Sequence, residues 1–331
     1  MSIDSTHPST ASYLTRDVPP GWTYVPCPLC GSRQHTPYLE AGSHYFGSSG
    51  SVTLMRCSCG LILTNPQPQG DTLAAFYATP EYYTHAKPSG LRPYLQQIWQ
   101  RLQMRGSLMH LRLGMESFSN ISRFAKRNAP RYFPLRRRQR LLDFGSGDGQ
   151  WTRLATALGL DAIGVEPDDA AREVAHRSGA LAFKTLEEAD QAMLGAPYDR
   201  ILLRHVLEHV PQPRELLEQL AQRLAPTGRI LISVPNVLSR QAHTFGPWWL
   251  GYELPRHLWH FSLVTLERLV KRAGLHPIYI STVELRNYAR ISADRLAAQT
   301  GQSCNYAPRA INRLEAEGFG TEVVLVAEHH A

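Results

Sequence analysis

No apolar run in the 331-residue chain reaches the eighteen or so residues that a membrane-spanning helix requires. The N-terminus, MSIDSTHPST, is polar, carries Asp4 and lacks the apolar core of a secretory leader, so a cytoplasmic protein is expected. Cysteine is scarce, five residues in all, and internal repeats are absent. A content of 43% hydrophobic and 19% charged residues is that of a globular chain and excludes wholesale disorder. The length admits one large α/β domain with an appended module, or two ordinary domains.

Acidic residues are missing from one stretch, 117–142, and there the charge of the protein is decided. The net charge of +7, from 35 Lys and Arg against 28 Asp and Glu, invites a nucleic-acid partner. That stretch alone holds Arg123, Lys126, Arg127, Arg131, Arg136, Arg137, Arg138 and Arg140. Without these eight cations the remainder carries −1, so the basic balance belongs to one connector. As the solvated face of a linker it needs no partner.

Four of the five cysteines, Cys27, Cys30, Cys57 and Cys59, fall within the first sixty residues. An intracellular chain rarely keeps disulfides, and such clustering indicates metal ligation. Cys27-Pro-Leu-Cys30-Gly resembles a zinc-ribbon knuckle, and Cys57-Ser-Cys59-Gly is its partner across 26 residues, with one residue fewer between its thiols. Four thiolates make a closed tetrahedral zinc site that supports folding and leaves no position open for chemistry. His35 and His44 are the alternative ligands. Cys304, alone downstream, is expected to be an ordinary buried thiol.

Residues 1–20, rich in Ser, Thr and Pro, are expected to be a disordered tail, and 21–70 the cysteine module, with β-prone stretches at 51–56 and 61–64. A connector, 71–139, contains an amphipathic pattern through Leu91, Leu95, Ile98 and Leu102 and then the basic stretch. From residue 140 to the end, strand and helix patterns alternate, as in a mostly parallel sheet covered on both faces. Seven strands are expected at 141–144, 162–165, 181–183, 200–203, 229–234, 277–281 and 322–327. Helices are expected at 213–224 and at 263–273, the latter opened by Ser262 and closed by Gly274. Two long connections, 235–261 and 284–320, interrupt the rhythm and are where substrate contacts are sought.

The run LLDFGSGDGQW sets Asp143, Gly145, Gly147 and Gly149 where a buried strand turns into a helix. Glu166 ends the next strand, where a carboxylate can accept both hydroxyls of a ribose. The spacing G-x-G-x-G, with an acid just before it, is unsuited to a pyrophosphate and suits a cationic ligand. This combination resembles the class I S-adenosylmethionine-dependent methyltransferases, and the segment from PYDRILLRHVLEHV to RILISVPN is similar to their fourth and fifth strands. The resemblance implies an α/β, Rossmann-like seven-stranded mostly parallel sheet with helices on both faces, here with a small N-terminal zinc-ribbon-like module. It also implies that Asp143, Gly145, Gly147 and Gly149 hold the methionine part of the cofactor and Glu166 the ribose, with His205 beside them facing the transferred methyl.

His205, Glu208 and His209 also spell H-x-x-E-H, an inverted zinc-protease motif. Pro211 and Pro213 break any helix that would hold the set, so Glu208 and His209 are expected to order the loop beside the cofactor. The connection HTFGPWWLGYELPRHLWHFS is dense in aromatics and histidines, and a lid over the substrate is expected, with Trp249, Tyr252, Arg256, Trp259 and His260 as substrate contacts. Residues 256–262 resemble the E-H-x-x-Y-F-S segment of sugar C-methyltransferases, which makes His257 the general base and His205 the second candidate. Arg256 stands where their glutamate would be and suits an anionic substrate.

The expected function is S-adenosylmethionine-dependent methyl transfer to a small molecule, such as a sugar, glycan precursor or secondary metabolite, by in-line displacement with a histidine general base. An RNA methyltransferase using the ribbon and the arginine-rich stretch is the alternative, and a non-catalytic binding protein with a vestigial cofactor fold is the third.

Overall fold

A computed structural model describes residues 18–42, 51–77, 129–193, 197–304, 306 and 311–330. The expected polar tail to residue 17, the pattern through Leu91–Leu102, and Arg123, Lys126 and Arg127 lie outside the described residues. Strands run β1 (Trp22–Thr23), β2 (His35–Gly42), β3 (Ser51–Cys57), β4 (Ile62–Thr64) and β5 (Gln67–Pro68), followed by helices α1 (Gly70–Ala75) and α2 (Ala129–Tyr132). The alternating region comprises β6 (Arg140–Phe144), α3 (Gln150–Ala157), β7 (Asp161–Val165), α4 (Asp169–Arg177), β8 (Ala182–Phe183), α5 (Leu186–Ala192), β9 (Tyr198–Arg204), α6 (Pro213–Gln222) and β10 (Leu224–Pro235). After it come α7 (Arg240–Phe245), β11 (Trp259–His260), α8 (Leu263–Arg272), β12 (Leu275–Val283), α9 (Arg286–Thr300), α10 (Ile311–Ala316) and β13 (Glu322–His329).

The main sheet has seven strands in the order β12-β13-β10-β9-β6-β7-β8, parallel except where β13 pairs antiparallel with β10 and β12. Its central strands are buried on both faces and accordingly read as continuous apolar runs, ILL in β9 and VVLVA in β13. Chain order reverses between β6 and β9, the crevice where open α/β sheets bind ligands at the carboxyl ends of their strands. Helix α6 starts on Pro213, whose fixed φ suits the first turn, and buries Leu216, Leu217 and Leu220. Helix α8 opens on a capping box between Ser262 and Thr265, as the Ser262 signal implied.

Boundaries shift where register overrides local pattern. The strand expected at 229–234 begins at Leu224, because Leu224 pairs with Tyr198 and a bulge absorbs the Pro-Thr-Gly turn. The connection 284–320 holds α9 and α10, and α7 lies in 235–261. Among the described residues no helix is long and apolar enough to cross a membrane.

A second sheet, ordered β11-β4-β3-β2, joins the two parts of the chain. Three of its strands come from the cysteine module, while β11 comes from the 235–261 connection and pairs antiparallel with β4. The cores are likewise continuous: Cys27, Met55, Leu61 and Leu63 share one apolar cluster with Ile201, Leu217, Leu258 and Leu266. The module is thus built into the body of the protein. Leu63 is fully buried at this junction. Leu63→Ala is expected to cost roughly 2–5 kcal/mol in chemical denaturation, with module and sheet unfolding in one transition by fluorescence and circular dichroism.

Candidate cofactor and acceptor site

The turn after β6 is held in left-handed conformations, with φ of 73°, 52° and 73° at Gly145, Gly147 and Gly149. Space forbids side chains as well. A Cβ at Gly145 would lie 2.3 Å from Val206 Cγ2, and one at Gly149 would lie 2.4 Å from Ala180 Cβ. Both backbone angle and close packing therefore select glycine here.

Two carboxylates flank this turn. Asp143, in β6, is buried and its Oδ2 accepts from Thr152 Oγ1 at 2.9 Å. Burial pushes its carboxyl up to about 6, against the lowering pull of the Thr152 hydroxyl and of Arg204. Glu166 follows β7, and its Oε2 accepts from Gly147 N at 2.9 Å while Oε1 accepts from Asp168 N at 3.0 Å. Burial raises its carboxyl too. Opposite them the Arg204 guanidinium stacks 4.4 Å from the centre of the Trp151 ring. Acidic groups thus line the carboxyl ends of β6 and β7, a setting for a cation bearing hydroxyls.

Histidines occupy the adjoining end of β9. His205 follows the strand at φ 53°, with Nδ1 3.4 Å from Glu208 Oε1 and Nε2 3.3 Å from Glu322 Oε1. Desolvation opposes its charge, yet the two buried carboxylates outweigh that and raise it to about 10. It therefore already holds its proton at neutral pH and is unsuited to the part of second candidate base. His257 is its opposite. Desolvation, with His260, His205 and Arg256 nearby, holds it well below the ordinary histidine range and neutral. Its Nδ1 meets the Gly251 carbonyl at 2.9 Å, which leaves the Nε2 lone pair free, 3.8 Å from Glu253 Oε2. The His209 ring stands edge-on to it at 4.5 Å, and His209 Nδ1 meets the Tyr77 hydroxyl at 2.9 Å.

The residues expected to form a lid are a packed wall instead. Trp249, Tyr252, Trp259 and His260 are all buried. Trp259 donates its indole N–H to the Val210 carbonyl at 2.8 Å, and His260 Nε2 meets Thr64 Oγ1 at 3.1 Å. The Trp259 indole and the His257 and His260 rings have thus found partners, whereas the buried Trp249 Nε1 has none among the described residues. Arg256, expected to suit an anionic substrate, is buried and ion-paired with Glu253, so its charge is already balanced. Glu253, Glu322, Tyr77 and Arg204 were not singled out from the sequence. A carboxylate four residues before His257 was visible, but a role for Glu322 or Tyr77 has no local signal, since each arrives from a distant segment.

The sulfur atoms of Cys27, Cys30, Cys57 and Cys59 lie within 4.8 Å of one another, with Cys27 to Cys59 at 3.5 Å and Cys30 to Cys57 at 3.4 Å. A tetrahedral zinc with bonds of about 2.3 Å sets its sulfurs roughly 3.8 Å apart, so the four thiols fit that ion despite the short second pair. His35 is not among them: its ring bonds Asn65 and the Ser32 carbonyl. His44 lies outside the described residues.

Asp143 sets a pH dependence. Between the ordinary value of 3.8 and about 6, the native state binds the additional proton, so cofactor-free stability falls as pH rises through that window. The loss is on the order of 3 kcal/mol, read as a fall in the urea midpoint between pH 4 and 7. Asp143→Asn is expected to flatten that slope.

Residues 116–280 match the methyltransferase-domain family. A ubiquinone biosynthesis O-methyltransferase of Cereibacter sphaeroides is 30% identical over 153 residues, covering 42% of this chain and 61% of that protein. A trans-aconitate 2-methyltransferase of Methylobacterium nodulans is 31% identical over 112 residues, covering 33% and 43%. The chain thus spans less than two thirds of the length of these relatives. An S-adenosylmethionine-dependent methyltransferase of Archaeoglobus fulgidus superposes with a TM-score of 0.42 at 17% identity, covering 70% of this chain and 98% of that one. The chain therefore belongs to the class I S-adenosylmethionine-dependent methyltransferases, with residues 116–280 as its methyltransferase domain.

Proposed function

We propose that the protein moves a methyl group from S-adenosylmethionine to an oxygen of a small-molecule acceptor, a sugar, glycan precursor or other secondary metabolite, with His257 taking the acceptor's proton. The observation that carries this reading is the pairing of an acidic cradle, Asp143 and Glu166, with a neutral histidine whose Nε2 is free in a buried setting. Oxygen as the acceptor atom is supported by the relatives, one of which is an O-methyltransferase by name.

When bound, the cofactor supplies an electrophilic methyl on a sulfonium. Asp143 and the glycine turn would hold its methionine part, and the Glu166 carboxylate, already fixed by two backbone N–H groups, would accept from the ribose hydroxyls. His257 holds the proton lost by the acceptor on Nε2, and Glu253, 3.8 Å away, offsets the charge that then develops. His205, fixed as a cation between Glu208 and Glu322, orders the loop next to the methyl without taking a proton. The wall formed by Trp249 and Tyr252 excludes water from this side.

Arg136, Arg137 and Arg138 stand just before β6, at the end of the strand opposite the glycine turn. That position favours a small acceptor over an RNA threaded along the basic stretch. The four cysteines take the part of a structural zinc site, closed to chemistry and bound into the shared core. Removal of zinc is expected to lower the melting temperature by well over 5 °C, and re-addition to restore it.

Incubation with methyl-labelled cofactor and fractionated cell extract is expected to label small molecules. Label confined to RNA would overturn the acceptor class, and calorimetry without cofactor binding would overturn the activity itself. With an acceptor in hand, His257→Ala is expected to lower kcat by about 10²–10⁴-fold while cofactor affinity stays within twofold. Unchanged turnover would remove His257 from the mechanism.

A further inference from the structure

Glu208, His209 and His257 each bring a metal-donor atom within 4.8 Å of the other two. A divalent ion with nitrogen and oxygen bonds of about 2.1 Å sets tetrahedral donors roughly 3.4 Å apart, so side-chain shifts on the order of 1 Å close the set. Three independent features suit these groups to an ion.

The first is a carboxylate with one oxygen left without a partner. Glu208 is 1% exposed and its Oε2 has no hydrogen-bond partner among the described residues, while Oε1 faces only His205 Nδ1 at 3.4 Å. A buried acceptor left without a partner is costly unless something else fills it. The second is the orientation of the imidazoles. His257 Nδ1 is held by the Gly251 carbonyl at 2.9 Å and His209 Nδ1 by the Tyr77 hydroxyl at 2.9 Å. The Gly251 carbonyl can only accept, so His257 holds its proton on Nδ1 and presents Nε2 as the ligand atom; His209 does the same where the Tyr77 hydroxyl accepts from its Nδ1–H, and such outer partners fix and strengthen metal-binding histidines. The third is access: His209 is half-buried and reaches solvent, whereas Glu208 and His257 are buried.

We infer that Glu208, His209 and His257 form a divalent-cation site of the two-histidine, one-carboxylate type, separate from the four cysteines and open to an ion of the zinc and cobalt class. Imidazole donors favour such ions over magnesium or calcium, which take oxygen ligands. Three protein ligands leave a coordination position vacant. Occupancy uses the Nε2 lone pair of His257, so the filled site and the proton-accepting His257 exclude each other, and cation binding switches turnover off. The site itself stands on donor geometry. Only the switching rests on the proposed base.

The test is titration of the purified full chain, its cysteine site already filled with zinc, with Co2+. One further equivalent is expected, visible as d–d absorption without a thiolate-to-cobalt charge-transfer band. Glu208→Gln and His209→Ala are each expected to weaken that binding at least tenfold with the circular dichroism spectrum intact. Absence of a second equivalent, or binding that both variants retain, overturns the site. Turnover followed in the same titration separates the two readings. A fall as the ion binds is the expected result, whereas a rise would uphold the cation site, end the switching role and retire His257 as base.

Discussion

Thr64 holds the two halves of the protein in register. Its hydroxyl donates to the His257 carbonyl at 2.7 Å and meets His260 Nε2 at 3.1 Å, while its N–H donates to the Leu258 carbonyl at 3.0 Å. Gln67 adds a bond from Nε2 to the same Leu258 carbonyl at 3.0 Å. All of these groups are buried, where an amide or hydroxyl without a partner is costly, so the segment carrying His257 must seat on the cysteine module to satisfy them. The pairing of β11 with β4, the continuous core and the orientation of His257 all depend on this junction.

A metal in the four-thiol cluster would stiffen the frame on which the acceptor wall rests. Asn65, the residue after Thr64, accepts from Val25 N two residues before Cys27, and Arg268 of α8 donates to the Cys59 carbonyl. The module thereby touches the sheet, the wall and the helix that follows it. This physical arrangement gives it a structural part in placing the segment that carries His257.

Charge is managed by enclosure. Asp143 and Glu166 flank the glycine turn, and Glu208, Glu253 and Glu322 stand among the histidines, where they pair with the cations His205 and Arg256. Neighbouring histidines are driven apart in protonation by this pattern. His205, between two carboxylates, is charged, whereas His257 and His209, facing cations and each other, are neutral. Such separation sets a fixed cation beside neutral imidazoles contributed by two different loops.

Local pattern was enough for much of the fold. The apolar runs of β6, β7, β9, β10, β12 and β13, the glycine turn, Glu166 and the helix caps are properties of a few adjacent residues, so the sheet and its acidic cradle were legible. The strand β11 was not, because two residues, Trp259 and His260, become a strand only by pairing with a segment nearly two hundred positions away. Aromatic density at 243–262 suggested a lid over the substrate, and the partners that make burial affordable, Thr64, Val210 and Gly251, belong to other elements or to the backbone. By itself the sequence determined the architecture, the glycine turn and the clustered cysteines, since periodicity and spacing encode these directly. Tertiary structure alone decided which histidine is neutral, where Glu253 and Glu322 act, and that the module and domain share one core, because burial and electrostatic neighbours exist only once distant segments meet.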